Sequence, residues 1–291
     1  MSAGLVEIRD GKARALLSAQ GAELLSWQIG DAELMWTPDP AFWDRVSPLL
    51  FPVVGWCKDG AIRVGGQSYL MGVHGFAAQS DFEIAGSSAA QVKFVLRDNE
   101  STRVHFPYAF EFSVTYRLIQ DSLQISLNVR NKSAGSMPYA CGLHPGFRWP
   151  FAGAARDQYS IEFAEAEQPE VPVIAPGGLF SQAMRPIAIE GRRLALSEET
   201  FAMEALCFLN ARSRSLAFIA PSGSSIRANF TGFPHLALWS RPGAPFLCLE
   251  AWTGYGDPVG FSGELGEKPS MRHLTEDQEG FHEAIFRFCA A

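Results

Sequence analysis

From Phe110 to Leu118 the chain alternates strictly. Phe110, Phe112, Val114, Tyr116 and Leu118 are large and apolar, and Glu111, Ser113, Thr115 and Arg117 between them are polar. After a break at Gln120-Asp121 the rhythm returns, with Leu123, Ile125, Leu127 and Val129 set against Gln124, Ser126, Asn128 and Arg130. Successive side chains on a strand point to opposite faces, so a period of two buries one face of an extended chain. A helix would scatter the same apolar residues around its circumference. Two such runs joined by a short polar break predict a long hairpin with one face in a core.

Shorter runs of the same kind predict strands at Leu5–Arg9, Ala13–Leu17, Leu24–Ile29, Phe82–Ala85 and Val92–Arg97. Others fall at Leu216–Ala220, Ile226–Phe230, Leu236–Trp239, Phe246–Glu250 and Ala284–Phe288. Helical periodicity is scarce: a short helix over Asp39–Trp43 and a helical turn over Ser197–Met203 are the best candidates. Many strands, with 27 Gly and 18 Pro available for the joints, predict an all-β antiparallel sandwich or barrel. No repeat or linker divides the chain, so one domain over residues 1–291 is expected. The Pro-, Gly- and Ala-rich tract from Ala164 to Ile189 reads as a long surface excursion.

Composition removes several function classes. With 47% apolar and 19% charged residues the chain can bury a sizeable core. The net charge is −7 and no basic run is present, so nucleic acid is not an expected partner. No stretch approaches the ~18 apolar residues of a membrane span. The start, Met1-Ser-Ala-Gly-Leu, lacks a signal-peptide pattern, and the five cysteines are scattered without a C-x-x-C pair. Both point to a reduced, cytoplasmic protein. Metal-ligand spacings are missing too, so no metal is expected from local motifs, and a metal site would need ligands assembled from distant segments.

Four segments fit neither strand nor turn chemistry. Ser47–Gly55, followed by Trp56-Cys57-Lys58, holds two prolines in an apolar run, which a central strand does not tolerate. Gly72-Val-His74-Gly75-Phe76 sets a histidine among glycines, where backbone or ligand can approach closely. Gly142-Leu-His144-Pro145-Gly146 places a histidine where a strand meets a Pro-Gly turn. Phe246–Glu250-Ala-Trp252 ends an apolar strand on a carboxylate, which is costly to bury unless it is paired or lines a cleft. Partial burial would raise its pKa into the range of a general base. Read singly, each has a purely structural explanation of comparable weight. The remaining histidines, His105, His235, His273 and His282, read as non-catalytic.

Taken in order, the segments LFPVVG, HGF, GLHPGF, FPHLALW and FLCLEAW resemble the aldose 1-epimerase (galactose mutarotase-like) family, in particular its short bacterial LacX-like branch. The resemblance runs from Gly21-Ala-Glu-Leu to Trp252-Thr-Gly. It implies a large antiparallel β-supersandwich with few short helices. It also implies cofactor-free interconversion of the α and β anomers of a free monosaccharide. By position, Glu250 matches the family's general base, His144 its general acid and His74 a sugar-binding histidine.

The chain departs from the family pattern at three places. Trp56 stands where an arginine usually follows the first segment. Ala77-Ala78-Gln79 stands where many short-branch members carry another, and Glu204 replaces a sugar-binding aspartate. Trp56 would exchange a polar contact for stacking, beside Trp252, and Arg148 or Arg45 would supply the missing charge. The expected partner is a small neutral monosaccharide, and the protein a monomer or homodimer. Two other readings stay open: a non-catalytic sugar-binding protein on the same fold, and a carbohydrate hydrolase or lyase. Glycosidases need two carboxylates across the bond, and only Glu204 or Asp257 could join Glu250.

Overall fold

The computed structural model of the protein describes residues 4–291. The predicted hairpin is its longest regular feature. Phe110–Ile119 and Ser122–Asn131 pair antiparallel in one unbroken register, from Phe110 opposite Asn131 to Ile119 opposite Ser122. All nine apolar residues named in the alternation are buried, as the pattern requires. The one side-chain polar atom among these nine, the Tyr116 hydroxyl, donates to the Ala22 carbonyl at 2.7 Å.

This hairpin lies inside a sheet of ten strands among the described residues. Glu279–Cys289 pairs with Ser122–Asn131 on one side and Ser225–Thr231 on the other. The C-terminal strand therefore closes the middle of the sheet. A second sheet of six strands contains Leu206–Phe208, His235–Trp239, Phe246–Trp252, Gly142–Leu143, Leu49–Leu50 and Gly146–Arg148. Aromatic side chains bridge the two sheets. Phe51 stacks on Phe112 at 4.6 Å between ring centroids, and Phe147 meets Phe286 at 5.2 Å. The result is the large all-β antiparallel supersandwich that the resemblance implies.

Two local expectations change and one helix is added. Asp39–Trp43 is not a helix but a turn closed by a bridge between its two ends. Five residues containing Pro40 cannot repay helix nucleation, and the turn instead delivers Trp43 to the edge of the second sheet. A helix forms at Glu100–Arg103, where Asn99 and Thr102 make a reciprocal cap. The Ala164–Ile189 tract holds a two-stranded hairpin, Glu170–Ala175 with Leu179–Pro186. Its tip forms a wall of the cleft described below, so it is not a passive excursion. The Ser197–Met203 expectation fits a short 3-10 turn over Glu198–Phe201. No helix among the described residues is long and apolar enough to cross a membrane.

Candidate active site

The outer face of the six-stranded sheet carries an open cleft of about 780 Å3. Register explains what reaches it. Leu247, Leu249 and Ala251 belong to the main core between the sheets. Side chains alternate, so Cys248, Glu250 and Trp252 stand on the other face. On the neighbouring strand Trp239 lies opposite Cys248, and Ala237 opposite Glu250. On the other side Leu143 pairs with Ala251 and Gly146 with Cys248. That leaves His144, at the break between the two short strands, beside Glu250.

His144 Nε2 lies 3.4 Å from Glu250 Oε2, and both side chains are almost wholly buried. The same carboxylate oxygen accepts a 3.0 Å hydrogen bond from Trp252 Nε1. Trp43 and Trp239 enclose the imidazole, with centroids 5.0 and 5.4 Å from it. In this apolar cage burial pushes the Glu250 carboxyl well above its usual range, against the Trp252 bond that lowers it. Burial likewise pushes His144 well below its usual value, and nearby His74 adds to the effect. Both shifts favour the uncharged forms, and moving one proton between the two groups interconverts carboxylic acid and neutral imidazole with carboxylate and imidazolium.

His74 stands 5.6 Å from His144 between ring centroids. Its backbone adopts φ 63°, in the left-handed region, an uncommon conformation for a residue with a Cβ. The conformation is held by three backbone bonds: His74 N–H to Gly55 O, Phe51 N–H to His74 O and Phe76 N–H to Phe51 O. Gly75 must be glycine, because a Cβ there would lie 2.2 Å from the Phe51 carbonyl oxygen. The Gly55 amide donates to His74 Nδ1 at 3.1 Å. Nδ1 is thus an acceptor and the ring proton sits on Nε2 of a side chain that lines the cleft. Burial, with a smaller contribution from Lys268, lowers the pKa of His74 to about 4.

Trp56, Glu204 and Trp252 also line the cleft. Trp56 is 48% exposed, so an indole face is open to a ligand. Arg148 does not line it. The Leu34–Thr37 segment pairs alongside Gly146–Arg148, and the Arg148 guanidinium donates to Met35 O and Thr37 Oγ1. Arg45 does line the cleft, and its Nη1 donates to the Ala78 carbonyl at 3.3 Å. A cation thus reaches the neighbourhood of Ala78 from a different segment, although Glu23 lies 3.9 Å from it. Asp257, the other carboxylate weighed for a hydrolase, does not line the cleft and pairs with Lys268.

Sequence reasoning passed over Trp43, Trp239, Arg241 and the hairpin tip at Ala175–Gly178, all of which line the cleft. Trp239 and Arg241 were accessible in principle. FPHLALW and FLCLEAW form a hairpin, and its register sets Trp239 on the face of Glu250. The hairpin tip had no such signal, since only tertiary packing brings Gly178 against Trp56. Among the described residues no group of three or more His, Cys, Asp or Glu is placed to hold a metal ion. All five cysteines are unpaired, and four of them are buried.

The family profile of aldose 1-epimerase matches residues 4–267. The chromosomal LacX protein of Lactococcus lactis subsp. lactis is 30% identical over 278 residues, covering 91% of this chain and 93% of that protein. A galactose mutarotase-like protein from Lactobacillus casei ATCC 334 superposes with TM-score 0.92 at 28% identity, covering 98% of this chain and all of its own. A galactose mutarotase related enzyme from Lactobacillus acidophilus gives TM-score 0.89 at 27% identity over 98% and 97% of the two chains. By profile, sequence and fold together, this chain belongs to the aldose 1-epimerase family.

Proposed function

We propose that the protein is an aldose 1-epimerase that interconverts the α and β anomers of a free monosaccharide, as one domain spanning residues 1–291. Glu250 and His144 act as its acid–base pair. The observation that carries this reading is the 3.4 Å contact between His144 Nε2 and Glu250 Oε2 on the face of an open cleft.

Ring opening needs one proton removed and one supplied. With the shared proton on His144, the Glu250 carboxylate takes the proton from the C1 hydroxyl. His144 gives its proton to the ring oxygen, the C1–O5 bond breaks and the C1 carbonyl forms. The pair is then carboxylic acid and neutral imidazole, the forms that burial favours. Rotation about C1–C2 turns the carbonyl, His144 takes the proton back from the O5 hydroxyl, and O5 attacks the other face. Glu250 returns its proton to the former carbonyl oxygen. Protons and electrons balance without a cofactor.

The other side chains position the sugar. His74 Nε2–H donates to a hydroxyl, Glu204 accepts from hydroxyls, and Trp56 and Trp252 offer apolar faces to the C–H side of the ring. The test is anomeric exchange, by polarimetry or NMR, across a panel of free aldoses. We expect the wild type to accelerate at least one sugar. Glu250→Gln and His144→Ala should each lower kcat by about 10²–10⁴ with melting curves intact. Wild-type-like exchange in either variant would sink the acid–base assignment. Measurable binding without acceleration of any sugar would instead mark a sugar-binding protein.

A further inference from the structure

Behind the cleft wall lies a buried ion pair for which the acid–base chemistry has no use. Lys268 Nζ sits 2.9 Å from Asp257 Oδ1, with the two side chains 1% and 6% exposed. Neither lines the cleft. Taking two charges out of water costs several kcal/mol per ion, and a buried pair seldom repays that as net stability. What such a pair supplies is one defined arrangement of the segments that carry it.

Those segments are the parts of the wall. Asp257 Oδ2 accepts from the Lys58 amide at 2.8 Å. The Asp257 amide donates to the Trp56 carbonyl at 2.8 Å, and its carbonyl accepts from Phe180 N–H at 2.9 Å. One residue therefore joins the loop that bears Trp56 to the hairpin that bears Gly178 and Phe180. The joints are tight: a Cβ on Gly55 would lie 2.7 Å from Gly256 Cα, and one on Gly178 would lie 1.9 Å from Trp56 Cδ1. Lys268, at the end of the Leu265–Glu267 turn, fixes the carboxylate from behind.

We propose that the Asp257–Lys268 pair is a positioning device that sets the Trp56 wall at its working distance from Glu250 and His144. Asp257 acts through Trp56, and neither residue touches substrate. The kinetic part of this inference rests on the epimerase reading, whereas its structural part does not.

Two variants test it: Asp257→Asn, which keeps shape and acceptor but removes the charge, and the double variant Asp257→Asn/Lys268→Met, which strands no buried charge should the single one fold poorly. Each should raise KM about tenfold with kcat within about threefold, and that penalty should nearly vanish in a Trp56→Phe background. Acrylamide quenching of Trp56, taken as the difference between each protein and its Trp56→Phe counterpart, should increase. A fall in kcat at constant KM would overturn the proposal, as would penalties that add to that of Trp56→Phe or unchanged quenching. If the wild type accelerates no sugar, the epimerase reading fails while the quenching measurement still decides this one.

Discussion

The two large sheets use the same alternation for different ends. In the Phe110–Asn131 hairpin the apolar residues are buried, apart from Ile119 at the turn, and the polar ones between them stay wholly or partly accessible, apart from Ser113 and Asn131. In Phe246–Trp252 every position is buried, yet one of them is a glutamate. The first pattern is fully explained by a sheet with one wet face. The second is not, because a carboxylate on a covered face raises the energy of its charged form unless something there uses it. On the second sheet the polar residue that breaks the pattern of burial is the one that faces His144 in the cleft, whereas on the first the polar residues that obey it face solvent.

The largest expected difference comes from replacing one glutamate on each sheet. Glu250→Gln should remove about 10²–10⁴ of the epimerisation rate. Glu283, in the ten-stranded sheet, accepts hydrogen bonds from Gln124 and Ser126. Glu283→Gln should leave kcat and KM unchanged and shift stability by less than about 1 kcal/mol, in keeping with a surface substitution. Equal losses of rate in both would show that the covered face has no special role.

Acid should expose a second, smaller difference. His235 and His282 are buried outside the cleft, and desolvation lowers both pKa values to about 4. His235 Nδ1 accepts from the Asn210 amide, and His282 Nδ1 donates to Gly232 O while its Nε2 meets the Tyr139 hydroxyl. Protonating His235 would set a donor against a donor. The unfolded chain binds protons at these positions near pH 6.5 and the folded chain only near 4, so their stabilising share is complete above 6.5. As pH falls from 6.5 towards 4, each should cost up to about 1.4 kcal/mol per pH unit. Urea melts at intervals over that window should show the slope. His235→Asn should flatten part of it, and an unchanged slope would remove His235 from the account.

The smallest effect separates two glycines. Gly178 and Gly191 both have positive φ, 75° and 60°, but a Cβ on Gly178 strikes Trp56 whereas one on Gly191 meets nothing within 4 Å. Alanine at either should cost the ~1–2 kcal/mol of a left-handed non-glycine residue. Only Gly178→Ala should also raise KM, by about three- to tenfold, the equivalent of a modest contact. A matching rise in Gly191→Ala would show that the hairpin tip acts through stability rather than through Trp56.

Much of this molecule is legible in one dimension, because strand periodicity is local. The Phe110–Leu118 and Leu123–Val129 runs specify their hairpin and its buried face. The order of LFPVVG, HGF, GLHPGF and FLCLEAW specifies the family, with Glu250, His144 and His74 among its matched positions. Two nominations turned on tertiary packing. Arg148 met the Leu34–Thr37 segment and was drawn away from the cleft, while Arg45 crossed to the carbonyl of Ala78. Neither can be read from neighbours in sequence, since a long flexible side chain follows whichever acceptor packing brings within reach. The hairpin tip against Trp56 and the Asp257–Lys268 pair behind it belong to the same class. Sequence determined the main strands and nominated the residues that meet in the cleft, because both depend on period and local motif. Tertiary structure decided the walls of the cleft and the burial of Glu250 and His144, because both depend on what distant segments exclude from water.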